Sequence, residues 1–221
     1  MKEIVKKLLR PLIPQAILNQ YKITRQLQEV QAWQKEGCYV PPPHVVKQFI
    51  IKGYQQKYNC GTLIETGTFM GEMVEAQKNK FRKIISIELA PKLYYKAKKR
   101  FYRDKHVTIV QGDSGKVLPE ILPEIKDPAI FWLDGHYSRG ETAKGEKECP
   151  IFDELNSIFN NQKMDHVLLI DDARCFVGKD DYPTLDSLVD FIKAKNDAYQ
   201  VDVKHDIIRC VSKPLSMAVA V

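Results

Sequence analysis

Thr62-Leu63-Ile64-Glu65-Thr66-Gly67-Thr68-Phe69-Met70-Gly71 is the stretch on which the rest of the chain hangs. A short apolar run ends in the carboxylate of Glu65 and passes into a turn with glycines four positions apart, at Gly67 and Gly71. Strand, glycine turn and helix in that order form the first unit of a parallel α/β sheet. The glycines allow the backbone to come close to a ligand, because no Cβ intervenes. The pattern is not the G-x-G-x-x-G dinucleotide fingerprint.

Upstream, Met1 to Gly37 is a basic, glutamine-rich leader. Ile4, Val5, Leu8, Leu9, Leu12 and Ile13 fall near helical spacing with Lys2, Lys6, Lys7 and Arg10 between them, until Pro11 and Pro14 break the pattern. Such a segment either lies on an anionic membrane surface or packs on its own domain or a second copy of the chain. A second helix is expected from Ile17 to Trp33. Pro41-Pro42-Pro43 forms a stiff connector that divides the chain into a leader, residues 1–40, and a main domain, residues 41–221.

Downstream, the alternation continues. After a helix over His44–Tyr58, strands are expected to end near Glu65 and at Lys83–Leu89, Val107–Gln111, Ala129–Leu133 and Val167–Ile170. Helices lie between them, near Gly71–Lys80, Pro91–Arg103, Lys116–Ile125 and Ile151–Asn160. A helix over Thr184–Ala194 and a strand pair, Tyr199–Lys204 with Ile207–Val211, close the chain. The early strands are nearly continuous apolar runs, as expected when helices cover both faces of a sheet.

In such a sheet, ligands bind beyond the carboxyl ends of the strands. Those ends carry Glu65, Glu88, Asp113, Asp134 and the pair Asp171-Asp172. Glu88 holds the position whose two oxygens suit the two hydroxyls of a ribose. Asp113 with Ser114 either contacts a ligand or caps the following helix. His136, two residues beyond Asp134, is a proton acceptor, a metal ligand or a hydrogen-bonding loop residue. The polar insertion Tyr137–Pro150 suits a lid, with Arg139 and Lys144 as cations for an acidic substrate group.

The sequence from Glu65 to Gly71 resembles motif I of the class I S-adenosylmethionine-dependent methyltransferases, and Glu88 and Asp113 follow in that family's order. The resemblance implies a doubly wound, mostly parallel seven-stranded α/β sheet, the Rossmann-like methyltransferase fold, here with an N-terminal helical extension. It implies S-adenosylmethionine bound by Glu65, Gly67, Thr68, Gly71, Glu88, Asp113 and Ser114, with the last two at the adenine edge. Phe131-Trp132-Leu133-Asp134-Gly135-His136-Tyr137 and Leu168-Leu169-Ile170-Asp171-Asp172-Ala173-Arg174 look like the metal-dependent small-molecule O-methyltransferases, including those acting on sugars. That likeness implies Mg²⁺ or Mn²⁺ held by Asp134, Asp171 and Asp172, with Asp134 and His136 as the catalytic pair. If the two strands are neighbours, their ends lie about 4.8 Å apart, and oxygen ligands suit these cations. The expected reaction is methylation of a hydroxyl on a small molecule, with His136 taking the proton.

The remaining features bound this reading. Five scattered cysteines make neither a disulfide framework nor a C-x-x-C zinc pair, which favours a reducing, cytoplasmic home. No apolar run approaches the roughly 18 residues of a spanning helix. The net charge of +6 favours an anionic partner or surface without naming one. Nucleic acid is not expected as a partner, because no Asn/Asp-Pro-Pro-Tyr/Phe motif for an extruded base occurs. A homodimer and peripheral membrane contact through the leader stay open. So do two rival functions: an oxidoreductase on a related sheet, and a cofactor-binding scaffold that docks through its leader.

Overall fold

The apolar runs become strands β1 (Thr62–Thr66), β2 (Lys83–Glu88), β3 (Val107–Gln111), β4 (Ala129–Leu133) and β5 (Val167–Ile170), followed by β6 (Tyr199–Lys204) and β7 (Ile207–Ser212). In this computed structural model, which describes residues 14–135, 149–161 and 164–213, they form one seven-stranded sheet in the order β3-β2-β1-β4-β5-β7-β6. The first five strands are parallel, and β7 lies antiparallel between β5 and β6. The strand order runs outward from β1 through β2 to β3, then returns to place β4 on β1's other side. That reversal opens a crevice at the carboxyl ends of β1 and β4, where open α/β sheets bind ligands.

Seven α-helices are described. They are α1 (Gln15–Lys35), α2 (His44–Tyr58), α3 (Glu72–Gln77), α4 (Pro91–Arg100), α5 (Ser114–Ile121), α6 (Ile151–Asn160) and α7 (Leu185–Lys195). Some helix limits differ from the expected ones, for local reasons. At the end of α3, Lys80 N–H turns back to Gln77 O at 2.7 Å, and after α4 Asp104 N–H turns back to Phe101 O at 2.9 Å. The α5 helix begins at Ser114, because Asp113 caps it. Beyond Ile121 it tightens into a 3₁₀ turn over Leu122–Glu124, where Pro123 has no N–H to offer.

The chain divides into two units, residues 1–47 and 48–221. In the first, α1 ends in a tight turn that Cys38 N–H closes onto Trp33 O at 3.0 Å, and the Trp33 indole N–H donates to Tyr39 O at 2.8 Å. The leader up to residue 13 lies outside the described residues. In the second unit the sheet has two cores, because strand side chains alternate between its faces. Ile64, Ile85, Phe131 and Leu168 pack with α5, α6 and α7 through Leu118, Leu155 and Ile192. Leu63, Ile84, Ile130 and Leu169 pack with Ile51 of α2, Val74 of α3, and Ala97 and the C-cap Phe101 of α4. Full burial of each such Leu, Ile or Phe contributes about 1.5–3 kcal/mol. No described helix is long and apolar enough to cross a membrane.

Gly53 lies in the interior of α2 on its exposed side, and a Cβ added there meets nothing within 4 Å. Replacing it with alanine removes backbone freedom from the unfolded chain without a clash. Gly53→Ala should therefore raise unfolding stability by about 0.5–1 kcal/mol, seen as a higher urea midpoint at unchanged slope.

Candidate functional site

The turn after β1 is fixed by β2. Gly67 N–H and Thr68 N–H both donate to Ile87 O, at 2.9 and 3.2 Å. Gly67 has φ of +85°, and a Cβ there would stand 2.3 Å from the Asp134 carbonyl oxygen. The β1 turn and the β4 end therefore press together at the crevice, and only glycine fits between them.

Glu88 is buried at the end of β2, and its carboxylate bridges two loops. One oxygen accepts Phe69 N–H at 2.7 Å, and the other accepts Ala90 N–H at 2.8 Å. Phe69 is itself left-handed, with φ of +48°, so this bond holds a strained turn in place. A carboxylate has about four acceptor sites, so two backbone bonds leave capacity on each oxygen for hydroxyl donors. Glu88 thereby clamps the glycine turn onto the end of β2.

Glu65 and Thr68 sit beneath that turn. Glu65 is only 2% exposed. Ser86 Oγ bonds to Glu65 Oε2, and the Thr68 hydroxyl is 2.6 Å from Ser86 Oγ. Burial, and then the negative charge of Glu88, push the Glu65 carboxyl up to about 8, although the Ser86 hydrogen bond pulls the other way. Glu65 is therefore a protonated strut under the turn at neutral pH, with its carboxyl spent on Ser86.

On the other flank, Asp113 caps α5, its Oδ1 accepting Gly115 N–H at 2.9 Å. Ser114 Oγ donates to Glu154 Oε1 at 2.5 Å. Glu154, in the first turn of α6, is fully buried, and its Oε2 has no hydrogen-bond partner. The Thr66 hydroxyl also hydrogen-bonds Glu154, and Thr66 Oγ1 accepts Asp134 N–H at 3.2 Å. One buried carboxyl thereby joins the ends of β1, β3 and β4. Burial pushes it up to about 7, against the Ser114 and Thr66 hydrogen bonds, with the charges of Asp113 and Asp153 adding to the rise. The sequence reading missed Glu154, although its signal was present. It lies on the same helical stripe as Ile151, Leu155 and Ile158, an acid on an otherwise apolar face.

Asp134 and Asp171 follow the paired strand residues Leu133 and Ile170, and Asp171 N–H donates to Leu133 O at 3.0 Å. The topology therefore brings them together as expected. Asp172 behaves differently. Its backbone is left-handed, with φ of +57°, and its Oδ1 accepts Arg174 Nη1 at 2.9 Å. The same Nη1 bonds Asp206 Oδ2 in the β6–β7 turn, while Arg174 N–H donates to Asp206 Oδ1 at 2.8 Å. Among the described residues no group of three His, Cys, Asp or Glu is arranged to hold a metal ion. Asp172 is therefore paired with a guanidinium, which a cation held by Asp134, Asp171 and Asp172 would have to displace. His136, Arg139, Lys144 and most of the Tyr137–Pro150 insertion lie outside the described residues.

The chain's likenesses to known proteins are structural. No family model matches it, and no curated protein matches its sequence. Among solved structures it resembles an O-methyltransferase from Bacillus cereus in complex with SAH, at TM-score 0.53 and 12% identity over 86% of this chain and 91% of that one. It equally resembles TomG from Streptomyces achromogenes, an O-methyltransferase of tomaymycin synthesis in complex with SAM, at TM-score 0.53 and 12% identity over 85% and 89%. A putative caffeoyl-CoA O-methyltransferase from Staphylococcus aureus matches at TM-score 0.53 and 12% identity over 96% and 98%. These likenesses establish the fold, the Rossmann-like architecture of class I S-adenosylmethionine-dependent methyltransferases.

The two raised carboxyls have a consequence for stability. Glu65 and Glu154 bind protons more tightly folded than unfolded, so their contribution is complete below their unfolded values near 4.5. It is lost as pH rises through about 7 for Glu154 and about 8 for Glu65. The melting temperature should therefore fall between pH 5 and pH 9. Glu65→Gln and Glu154→Gln, which cannot ionise, should each flatten that slope when melting is followed by circular dichroism across the range.

Proposed function

We propose that the chain is a methyltransferase that uses S-adenosylmethionine to methylate a hydroxyl group of a small molecule. The observation that carries this reading is the geometry of Glu88. It is a buried carboxylate at the end of β2, oriented by Phe69 N–H and Ala90 N–H, beside a left-handed glycine turn at the point where strand order reverses. The likeness to O-methyltransferase structures solved with SAM or SAH supports it.

In this reading Glu88 takes the ribose hydroxyls, and the Gly67–Gly71 turn brings backbone close to the amino-acid portion of the cofactor. The Asp113–Ser114 corner meets the adenine edge, and Asp134 stands where cofactor and acceptor would adjoin. The cofactor supplies an electrophilic sulfonium methyl. The acceptor oxygen forms its bond to that methyl as the sulfur–methyl bond breaks, and the hydroxyl proton must leave. We assign that proton to His136, because a neutral imidazole accepts protons near pH 7. Asp134, two residues earlier, is the carboxylate that would orient the imidazole or the hydroxyl. Much of the acceleration then comes from holding both reactants in line. On the acceptor side, Tyr182 is held in its neutral form by burial first, and then by neighbouring groups that include Asp172 and Asp134. It offers a hydroxyl for orienting the acceptor.

Titration calorimetry with S-adenosylhomocysteine tests the cofactor assignment. Wild type should bind. Glu88→Gln should bind about ten- to a hundredfold more weakly, from the loss of charged hydrogen bonds worth about 1.5–3 kcal/mol. Its amide nitrogen would also face Phe69 N–H or Ala90 N–H, donor against donor. Unchanged affinity in a folded variant would remove the ribose assignment. Label transfer from methyl-labelled cofactor to a panel of hydroxyl compounds then tests the reaction, and wild type should label at least one class.

A further inference from the structure

Between Pro91 and His106, seven lysines and arginines stand against a single acid, Asp104. This stretch alone carries a net +6, equal to the formal net charge of the whole chain, so the remaining residues balance to zero. Its one acid is already taken, because Asp104 accepts from Lys78 at 3.3 Å. Arg100 is also engaged, with Glu75 at 3.6 Å and with Met70 O at 2.7 Å.

The rest of the charge is ordered by the helix. Leu93, Ala97 and Phe101 form the buried stripe that seats α4 and its C-cap. Lys92, Lys96 and Lys99, at helical spacing, are all exposed on the opposite side. Among the described residues none of the three has an acid within 4.0 Å. Tyr95, on that side, and Tyr102, just beyond the helix, are 66% and 61% exposed. Flanking cations lie against tyrosine rings, with Lys98 Nζ 5.2 Å from the Tyr94 centroid and Arg103 Cζ 5.2 Å from that of Tyr102.

We propose that this face of α4 is a docking surface for an anionic lipid bilayer. Positive charge in a line along about 15 Å of helix suits a plane of headgroups. Tyrosine, with an apolar ring and a polar tip, suits the depth at which those headgroups lie. The exposed stripe has no aliphatic side chain, so it would rest at the headgroups and not enter the hydrocarbon. A nucleic acid is the less suitable partner, because non-specific binding to single strands uses a groove that tracks the phosphates. Here the charge lies on one convex helix.

The test uses the full chain in flotation with vesicles of phosphatidylcholine alone, or with about a third phosphatidylglycerol. Wild type should float with the anionic vesicles only, and should release as salt rises from about 0.1 M to about 0.5 M. Each lysine near the surface is worth about fivefold, so the triple variant K92Q/K96Q/K99Q should bind about a hundredfold more weakly. K96Q alone should lose about fivefold, in a protein altered at one exposed position. A leader variant, K2Q/K6Q/K7Q, should keep the α4-dependent binding and so separates the two basic segments. Equal flotation of wild type and the triple variant would overturn the proposal, as would equal binding to neutral vesicles or none to anionic ones. Displacement of the protein from vesicles by a single-stranded oligonucleotide at lower concentration would assign the face to nucleic acid instead.

Discussion

At position 67 the backbone of the β1 turn runs so close to the Asp134 carbonyl that an added Cβ would stand 2.3 Å from it. Two strands far apart in sequence meet there, and the rest of the site is built from that contact outward. The turn must become left-handed to pass Asp134, and in doing so it presents Phe69 N–H to the carboxylate of Glu88. The same passage sets the end of β4 against Thr66, whose carbonyl and hydroxyl oxygens both accept Asp134 N–H. The glycine turn, the Glu88 clamp and the β4 end are therefore one construction, and a methyl group at Gly67 would disturb all three together.

The acids around this crevice differ in how their charge is handled, and the neighbour decides. Glu88 meets two backbone N–H groups. Glu65 meets a hydroxyl and Glu154 meets two, with no cation beside them, and both carboxyls rise toward or past neutrality. Asp172 and Asp206 meet a guanidinium. Residues of one chemical type thus divide into a clamp on backbone N–H groups, two carboxyls raised by burial and an ion-paired brace.

This sorting explains what could be read from the sequence. The strands were legible because both faces of the sheet are covered, which leaves runs such as Ala129–Leu133 wholly apolar. The strand-end acids were legible by position, because alternation of strands and helices fixes where each strand stops. The fates of those acids were not. The ion pair of Asp172 depends on Arg174, two residues away, and on Asp206, 32 residues from Arg174, whose approach only the folded sheet shows. Glu154 was hidden for a similar reason. An acid in the first turn of a helix is ordinary dipole complementarity, and only the fold shows Ser114, Thr66 and Gly135 converging on it. The strand order itself followed from family resemblance, since nothing in an apolar run specifies which neighbour it will take.

The place of β7 gives this site an order of assembly during synthesis. The strand-end acids from Glu65 to Asp134 come from strands β1 to β4, which pair among themselves. The outer partner of β5 is β7, and the brace on Asp172 comes from Asp206 just before it. As the chain leaves the ribosome, β1 to β4 can therefore pair before the last hairpin is made, whereas the brace on Asp172 has to wait for it.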